Sequence, residues 1–264
     1  MEKIDISGVP ETMVQTLYAR AKESRRKNAL IHDDKAVEMV DRMDYDFSFA
    51  DKDLAMGAGV IARTMLLDDM VGEFVASNPD CTVINIACGM DMRFWRMDNG
   101  RIRWHDIDLP ETIDVRRRFV EDTDRVKMHA FSAMDEAWAA EVGPIDGPVL
   151  VIVEGLTMYL SAEDVARILS IVRDRYARAT LFVEFLNPRF VGKDVERSIS
   201  KSNARFTFSA RSGAELVAGI DGLRHVADRS LSEKMPLINP VYRLLIKVPA
   251  IANLSNKIAV IRSF

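Results

Sequence analysis

Apolar positions along the chain change period near residue 80. From about residue 10 to residue 70, Leu17, Ala21, Val37, Val40, Ile61 and Met65 recur at helical spacing, which predicts a helical layer ahead of any sheet. Beyond it, short β-branched runs alternate with helical stretches. Strands are expected at about residues 83–86, 102–107, 126–131, 149–153 and 180–185, with two more at 223–231 and 258–261. Continuous apolar runs of this length suit strands covered on both faces, as in a parallel sheet. Ser161 and Asp164 form a capping pattern, and Val165, Ile168, Leu169 and Val172 give the helix that follows its buried stripe. The alternation specifies an α/β fold, without repeats or low-complexity tracts.

Residues 82–110 join two of these strands through a turn. The run Val83, Ile84, Asn85 and Ile86 ends at Ala87-Cys88-Gly89, where a glycine lets the backbone reverse sharply. The next strand ends in Asp106-Ile107-Asp108-Leu109-Pro110. In doubly wound α/β folds the first such turn holds the polar centre of a nucleotide cofactor, and an acid ending the second strand hydrogen-bonds the ribose hydroxyls. Asp108 occupies that place, with Asp106 as its competitor. Alone, the pattern also describes a plain turn followed by an acid that caps the helix after Pro110. A nicotinamide-dependent oxidoreductase shares it, although such enzymes carry a fuller glycine fingerprint.

Bulk properties narrow the classes. The 264 residues suffice for one sizeable core, and a formal net charge of −4 lacks the basic footprint of a general nucleic-acid binder. The start, MEKIDISG, is polar and acidic and predicts no export signal. No uncharged apolar run reaches the roughly 18 residues of a membrane span, so a cytoplasmic protein without a membrane partner is expected. Cys81 and Cys88 flank one predicted strand without CxxC spacing and are expected as reduced core or turn residues. The 4 histidines stand far apart, so no protein metal site is expected.

More specific residues surround the turn. Asp91, Arg93, Trp95 and Arg96 follow it. Upstream, residues 17–33 read LYARAKESRRKNALIHD, and Arg63 lies in IARTMLLDD; downstream, residues 149–160 read VLVIVEGLTMYL and include Glu154. Taken in this order, these segments resemble the leucine carboxyl methyltransferases and their bacterial relatives that methylate polyketides and other small molecules. The resemblance runs from about residue 16 to 187 and is loose in the last quarter. It implies a class I methyltransferase fold: a Rossmann-like seven-stranded sheet with helices on both faces, the last strand antiparallel, and an N-terminal helical cap. One domain over 1–264 follows from it, with a helical layer to about 75, a cofactor core over 80–186, and substrate-covering insertions and terminal strands over 187–264. The insertions are expected at 187–206 and 236–256. The implied cofactor is S-adenosyl-L-methionine, whose sulfonium makes its methyl group electrophilic without a metal or a covalent enzyme intermediate.

The resemblance also implies site residues. Ala87 and Gly89 form the turn under the cofactor, Asp108 takes the ribose diol, and Glu154 lies close to the methionine moiety. Arg63 faces the cofactor carboxylate, with a surface salt bridge as its alternative. A basic residue of the opening helix meets the same carboxylate; Lys22 is the nearest match, with Arg20 and Arg25 as alternatives, and the rest of this basic run is expected on a solvated face. Ser132 or Ala133 stands where relatives place an adenine-contacting Asp-Leu pair, and Asp135 is the candidate substitute. Tyr159 is the candidate substrate-side residue, with a core role as the alternative. Trp95 and Trp104 are expected to pack, and Arg116, Arg117 and Arg118 to form an exposed helix face. Ala87 departs from the family's first turn glycine and Cys88 from its alanine.

No histidine in these motifs offers a general base, which favours an acceptor that is already ionised. The expected function is therefore O-methylation of a carboxylate, or an acidic hydroxyl, on a small molecule. A protein C-terminal carboxylate fits a chain of this size less well. The altered turn and adenine segment motivate a noncatalytic S-adenosylmethionine sensor as the alternative, ahead of the oxidoreductase.

Overall fold

The computed structural model describes residues 4–5, 11–191, 205–248 and 255–264. Its strands are β1 (Thr82–Ile86), β2 (Arg103–Asp108), β3 (Val126–Ala130), β4 (Val149–Val153), β5 (Thr180–Phe185), β6 (Leu223–Ser230) and β7 (Lys257–Ser263). They form one 7-stranded sheet in the order β3-β2-β1-β4-β5-β7-β6. Pairing from β3 through β5 is parallel, whereas β7 runs antiparallel to both β5 and β6. This is the seven-stranded sheet expected, with its last strand reversed. Strand order switches direction between β1 and β4, and a crevice forms at the carboxyl ends of strands at such a point. The register keeps those ends level, since Ile86 pairs with both Ile107 and Val153.

The strands follow from their residues. Every position of β1 (TVINI) and β4 (VLVIV) is buried, which requires side chains that pack on two faces. Each Val or Ile so buried contributes roughly 1.5–3 kcal/mol. Helices α1 (Glu11–Ser24), α2 (Asp34–Arg42) and α3 (Leu54–Ser77) make the N-terminal layer. Leu17 and Ala21 are fully buried there, and α1 packs on both α2 and α3. A two-residue parallel pairing of Ile4–Asp5 with Met43–Asp44 was not foreseen. Its segments are too short to carry a periodicity.

Four further helices, α4 (Arg93–Met97), α5 (Pro110–Arg116), α6 (Ala137–Val142) and α7 (Ala162–Arg175), follow the strands. The expected cap of α7 is present: Ser161 Oγ accepts from the Asp164 amide at 3.1 Å, and Val165, Ile168, Leu169 and Val172 are buried. Trp104 is buried in the core and Trp95 packs partly buried against it, as expected. The expected insertions are described only in part, because 192–204 and 249–254 lie outside the described residues. Short helical turns at Pro188–Phe190, Met235–Ile238 and Tyr242–Leu245 belong to the described parts. Among the described residues, no helix is long and apolar enough to cross a membrane.

Candidate functional site

A cavity of about 780 Å³ opens at the carboxyl ends of β1, β2, β4 and β5, with residues of α1 and α3 also lining it. The turn after β1 forms part of its floor. Ala87 (φ 54°) and Gly89 (φ 51°) both adopt the left-handed conformation. Gly89 has no side chain to pay for this, whereas the alanine costs about 1–2 kcal/mol. Ala87 thus adopts, at that cost, a backbone conformation in which a glycine is unstrained.

Asp108 fastens this turn. Its Oδ2 accepts from the Gly89 amide and its Oδ1 from the Leu109 amide, both at 2.7 Å. Burial raises its pKa above the ordinary carboxyl value, and the amide hydrogen bonds partly offset that rise. A carboxylate has about four acceptor sites; the two amides and the Thr112 hydroxyl take three, which leaves one for a ligand hydroxyl. The competitor Asp106 is fully buried and does not line the cavity. It takes hydrogen bonds from Trp104 Nε1 at 2.9 Å and Asn85 Nδ2 at 3.2 Å.

Arg116 corrects the expectation of an exposed basic face. Only 1% of it is exposed: Nη2 donates to Asp106 Oδ2 at 2.6 Å and Nη1 to the Gly89 carbonyl at 2.9 Å. The reason is electrostatic, because a buried Asp106 without a cation would be strongly unfavourable. Arg117 and Arg118 are exposed as expected.

On the β4 side, guanidinium and carboxylate groups interlock. Arg93 donates to Asp68 at 2.7 Å, Asp91 at 2.6 Å and Glu154 at 2.9 Å. Arg63 Nη1 donates to Glu184 Oε2 at 3.2 Å, while its Nε sits 2.7 Å from Glu154 Oε1 as an ion pair without hydrogen-bond alignment. Glu184 is itself held by the Gly155 amide at 2.8 Å and Asn256 Nδ2 at 3.0 Å. Burial opposes ionisation of Asp91, but Arg93, Arg96 and Arg20 outweigh it and hold the carboxyl at about 2. Arg63, Glu154 and Glu184 all line the cavity.

The opening helix presents a different residue from the nearest match. Lys22 does not line the cavity; its Nζ donates to Asp51 at 2.6 Å on the exposed side of α1. Arg25 likewise turns outward to Asp41 at 2.6 Å. The alternative, Arg20, lines the cavity, donating to Asp33 at 3.0 Å and to the Met90 carbonyl at 2.6 Å. Helical geometry decides this, since Arg20 continues the inward stripe of Thr12, Met13 and Thr16. At the far end Ser132 and Ala133 line the cavity, whereas the candidate substitute Asp135 does not. Asp135 is exposed and accepts from the Ala137 amide at 3.0 Å, starting α6. Tyr159 lines the cavity with its ring 5.5 Å from that of Phe206, beside Phe190, Met235 and Tyr242.

This arrangement can hold a ribose at Asp108 and a cation near the glutamates, with apolar ligand surface against the aromatic wall. Residues 13–173 match the leucine carboxyl methyltransferase family. The chain belongs to that family. It is 34% identical over 228 residues to the tetracenomycin polyketide synthesis O-methyltransferase TcmP of Streptomyces glaucescens, covering 84% of this chain and 83% of that one. It is 31% identical over 190 residues to the S-adenosyl-L-methionine-dependent methyltransferase dpfgK of Gibberella zeae, covering 66% and 63%. Among solved structures, a DUF574 family protein from Streptomyces avermitilis shares the fold with a TM-score of 0.62 at 13% identity, covering 97% of this chain and 98% of that one. Family membership makes the chain an enzyme, and the sensor and oxidoreductase alternatives give way.

Sequence reasoning did not assign Glu184 or Gln15, which also line the cavity. The signal for Glu184 was available: a carboxylate inside the apolar strand TLFVEF calls for a partner. Gln15 carried no comparable signal.

Proposed function

We propose that this S-adenosyl-L-methionine-dependent methyltransferase esterifies a carboxylate, or methylates an acidic hydroxyl, of a small apolar acceptor. The observation carrying the reading is the division of one cavity between Asp108 and the glycine turn at one end and the wall of Tyr159, Phe190 and Phe206 at the other. The residues present fit the cofactor. Asp108 retains an acceptor site for a ribose hydroxyl, and Ser132 and Ala133, which line the same cavity, would meet the adenine. Among the described residues, five carboxylates of the cavity lining, Asp53, Asp91, Asp108, Glu154 and Glu184, outnumber its two guanidinium groups, Arg20 and Arg63, which favours a bound sulfonium.

When bound, the cofactor supplies an electrophilic methyl group. The chain's part is placement: Asp108 and the turn fix one end, Glu154 and Arg63 the other, and the aromatic wall aligns the acceptor oxygen. Alignment of that kind removes roughly 7–11 kcal/mol from a bimolecular barrier. No histidine is found among the described residues lining the cavity. A carboxylate acceptor needs none, being ionised near pH 7. The reading takes 1–264 as one methyltransferase domain acting in the cytoplasm on a small molecule, with Cys81 and Cys88 as the free thiols the structure records.

The test is a panel of apolar aromatic carboxylic acids and phenols incubated with the labelled methyl donor, with S-adenosylhomocysteine release and product mass read together. Methyl esters are expected, with rates unchanged by chelator and sustained down to the acceptor's own pKa. Methylation on nitrogen or carbon, or activity with phenols that rises toward their pKa while the acids stay unreacted, overturns the carboxylate reading.

A further inference from the structure

Gln15 is only 3% exposed, yet its amide Nε2 has no hydrogen-bond partner. It sits on α1 and lines the cavity. A buried amide left without a partner is costly, and protein interiors rarely retain one unless something completes it. The other polar groups of this part of the cavity are largely engaged, Arg63 Nε being ion-paired though not hydrogen-bonded. Arg20 is held by Asp33 and the Met90 carbonyl, Thr16 Oγ1 donates to the Met13 carbonyl at 2.9 Å, and Arg63 is clamped between Glu154 and Glu184. A carboxylate entering here meets cations whose charge is largely spent on acids of the chain itself.

We infer that Gln15 donates its Nε2 hydrogen to a carboxylate oxygen at the amino-acid end of the bound cofactor, acting as a binding residue that Arg63 alone does not replace. The inference rests on the cofactor reading above. Position favours the cofactor over the acceptor as the source of that oxygen. Helix α1 follows the cofactor turn: a side chain built at Gly89 would come within 3.3 Å of Met13 Sδ, and Arg20 bonds the adjacent Met90 carbonyl. The apolar wall assigned to the acceptor is formed instead by Tyr159, Phe190, Phe206, Met235 and Tyr242. A neutral amide also suits a site already rich in carboxylates, because it adds a donor without drawing another acid onto itself.

Calorimetry with S-adenosylhomocysteine and with its analogue lacking the α-carboxylate tests this on wild type, Gln15→Leu and Gln15→Glu. Gln15→Leu is expected to bind S-adenosylhomocysteine roughly tenfold more weakly, and Gln15→Glu more weakly still through repulsion, with the decarboxylated analogue little changed in Gln15→Leu. The ligand-free Gln15→Leu protein should melt no lower than wild type, since it loses an unpaired buried amide; a merely structural glutamine would lower the melting point. Unchanged S-adenosylhomocysteine affinity in Gln15→Leu, or equal losses for both ligands, overturns the inference. If Gln15→Leu binds normally while Asp108→Ala does not, the assignment of Gln15 fails and the cofactor reading stands. No binding by wild type overturns both.

Discussion

Arg116 and Asp106 form a buried ion pair at 2.6 Å, and the same guanidinium holds the Gly89 carbonyl at 2.9 Å. The pair therefore ties β2 to the turn after β1. Replacing Arg116 with Met leaves Asp106 buried and without the cation that opposes the rise of its pKa by burial. The expected loss is about 3–5 kcal/mol of stability, measured by denaturant unfolding. Adding Asp106→Asn should recover part of it. Equal stability of Arg116→Met and wild type would show that the pair is not coupled to the fold.

That pair marks where sequence reading stops. Gly89, Asp108 and Glu154 were legible because each is fixed locally, at the end of a strand whose apolar run announces itself. Arg116 sat within a run of three arginines, and nothing in its spacing distinguished it from Arg117 and Arg118. Its inward turn depends on Asp106 across the strand-helix unit. Glu184 depends on Arg63, 121 residues away, and no pattern of single residues encodes that meeting. Arg20 and Lys22 differ by about half a helical turn, so a shift of two positions along the helix exchanges the inward residue for the outward one. The sheet was easier. Its core strands are buried on both faces, leaving the composition of β1 and β4 little freedom.

Ala87 and Gly89 make opposite predictions from similar φ angles. Ala87→Gly removes about 1–2 kcal/mol of left-handed strain and returns about 0.4–1 kcal/mol in unfolded-chain freedom. The variant should be as stable as wild type or slightly more so, with S-adenosylhomocysteine affinity undiminished. Gly89→Ala adds the strain and a methyl group 3.3 Å from Met13 Sδ, and should lose both stability and affinity. Thermal melts with and without ligand read both effects, and a neutral Gly89→Ala would refute the assigned turn geometry.

His105 and His129 stack, with Nδ1 of the first 2.9 Å from Nε2 of the second. Burial, followed by the His129 charge, lowers the pKa of His105 to about 4. Its folded value lies below the unfolded value near 6.5, so the fold favours the neutral ring. The resulting stability is full above pH 6.5 and is lost as pH falls from there toward 4. After allowance for partial exposure this is on the order of 2 kcal/mol. His105→Asn should flatten that limb of a stability–pH curve, and a ring titrating near 6.5 by NMR in the folded protein would contradict it.

Asp108 combines structure and binding in one carboxylate. Both oxygens accept from backbone amides at 2.7 Å, so Asp108→Asn can satisfy only one of them and turns an NH2 toward the other. That variant should lose about 1–3 kcal/mol of stability and bind S-adenosylhomocysteine at least tenfold more weakly. The pH dependence separates the two roles. Burial raises the folded pKa above the unfolded value near 3.9, so the fold favours the protonated group. Asp108's titration therefore adds stability at acid pH and withdraws it as pH rises through the folded value. Binding runs the other way, because diol hydroxyls donate best to the ionised group: affinity should be full above that folded value and fall as pH drops through it. Calorimetry across the acid range, on wild type and Asp108→Ala, should show this fall only in wild type. A parallel fall in both proteins would assign the acid sensitivity to another group and remove Asp108 from the ribose site.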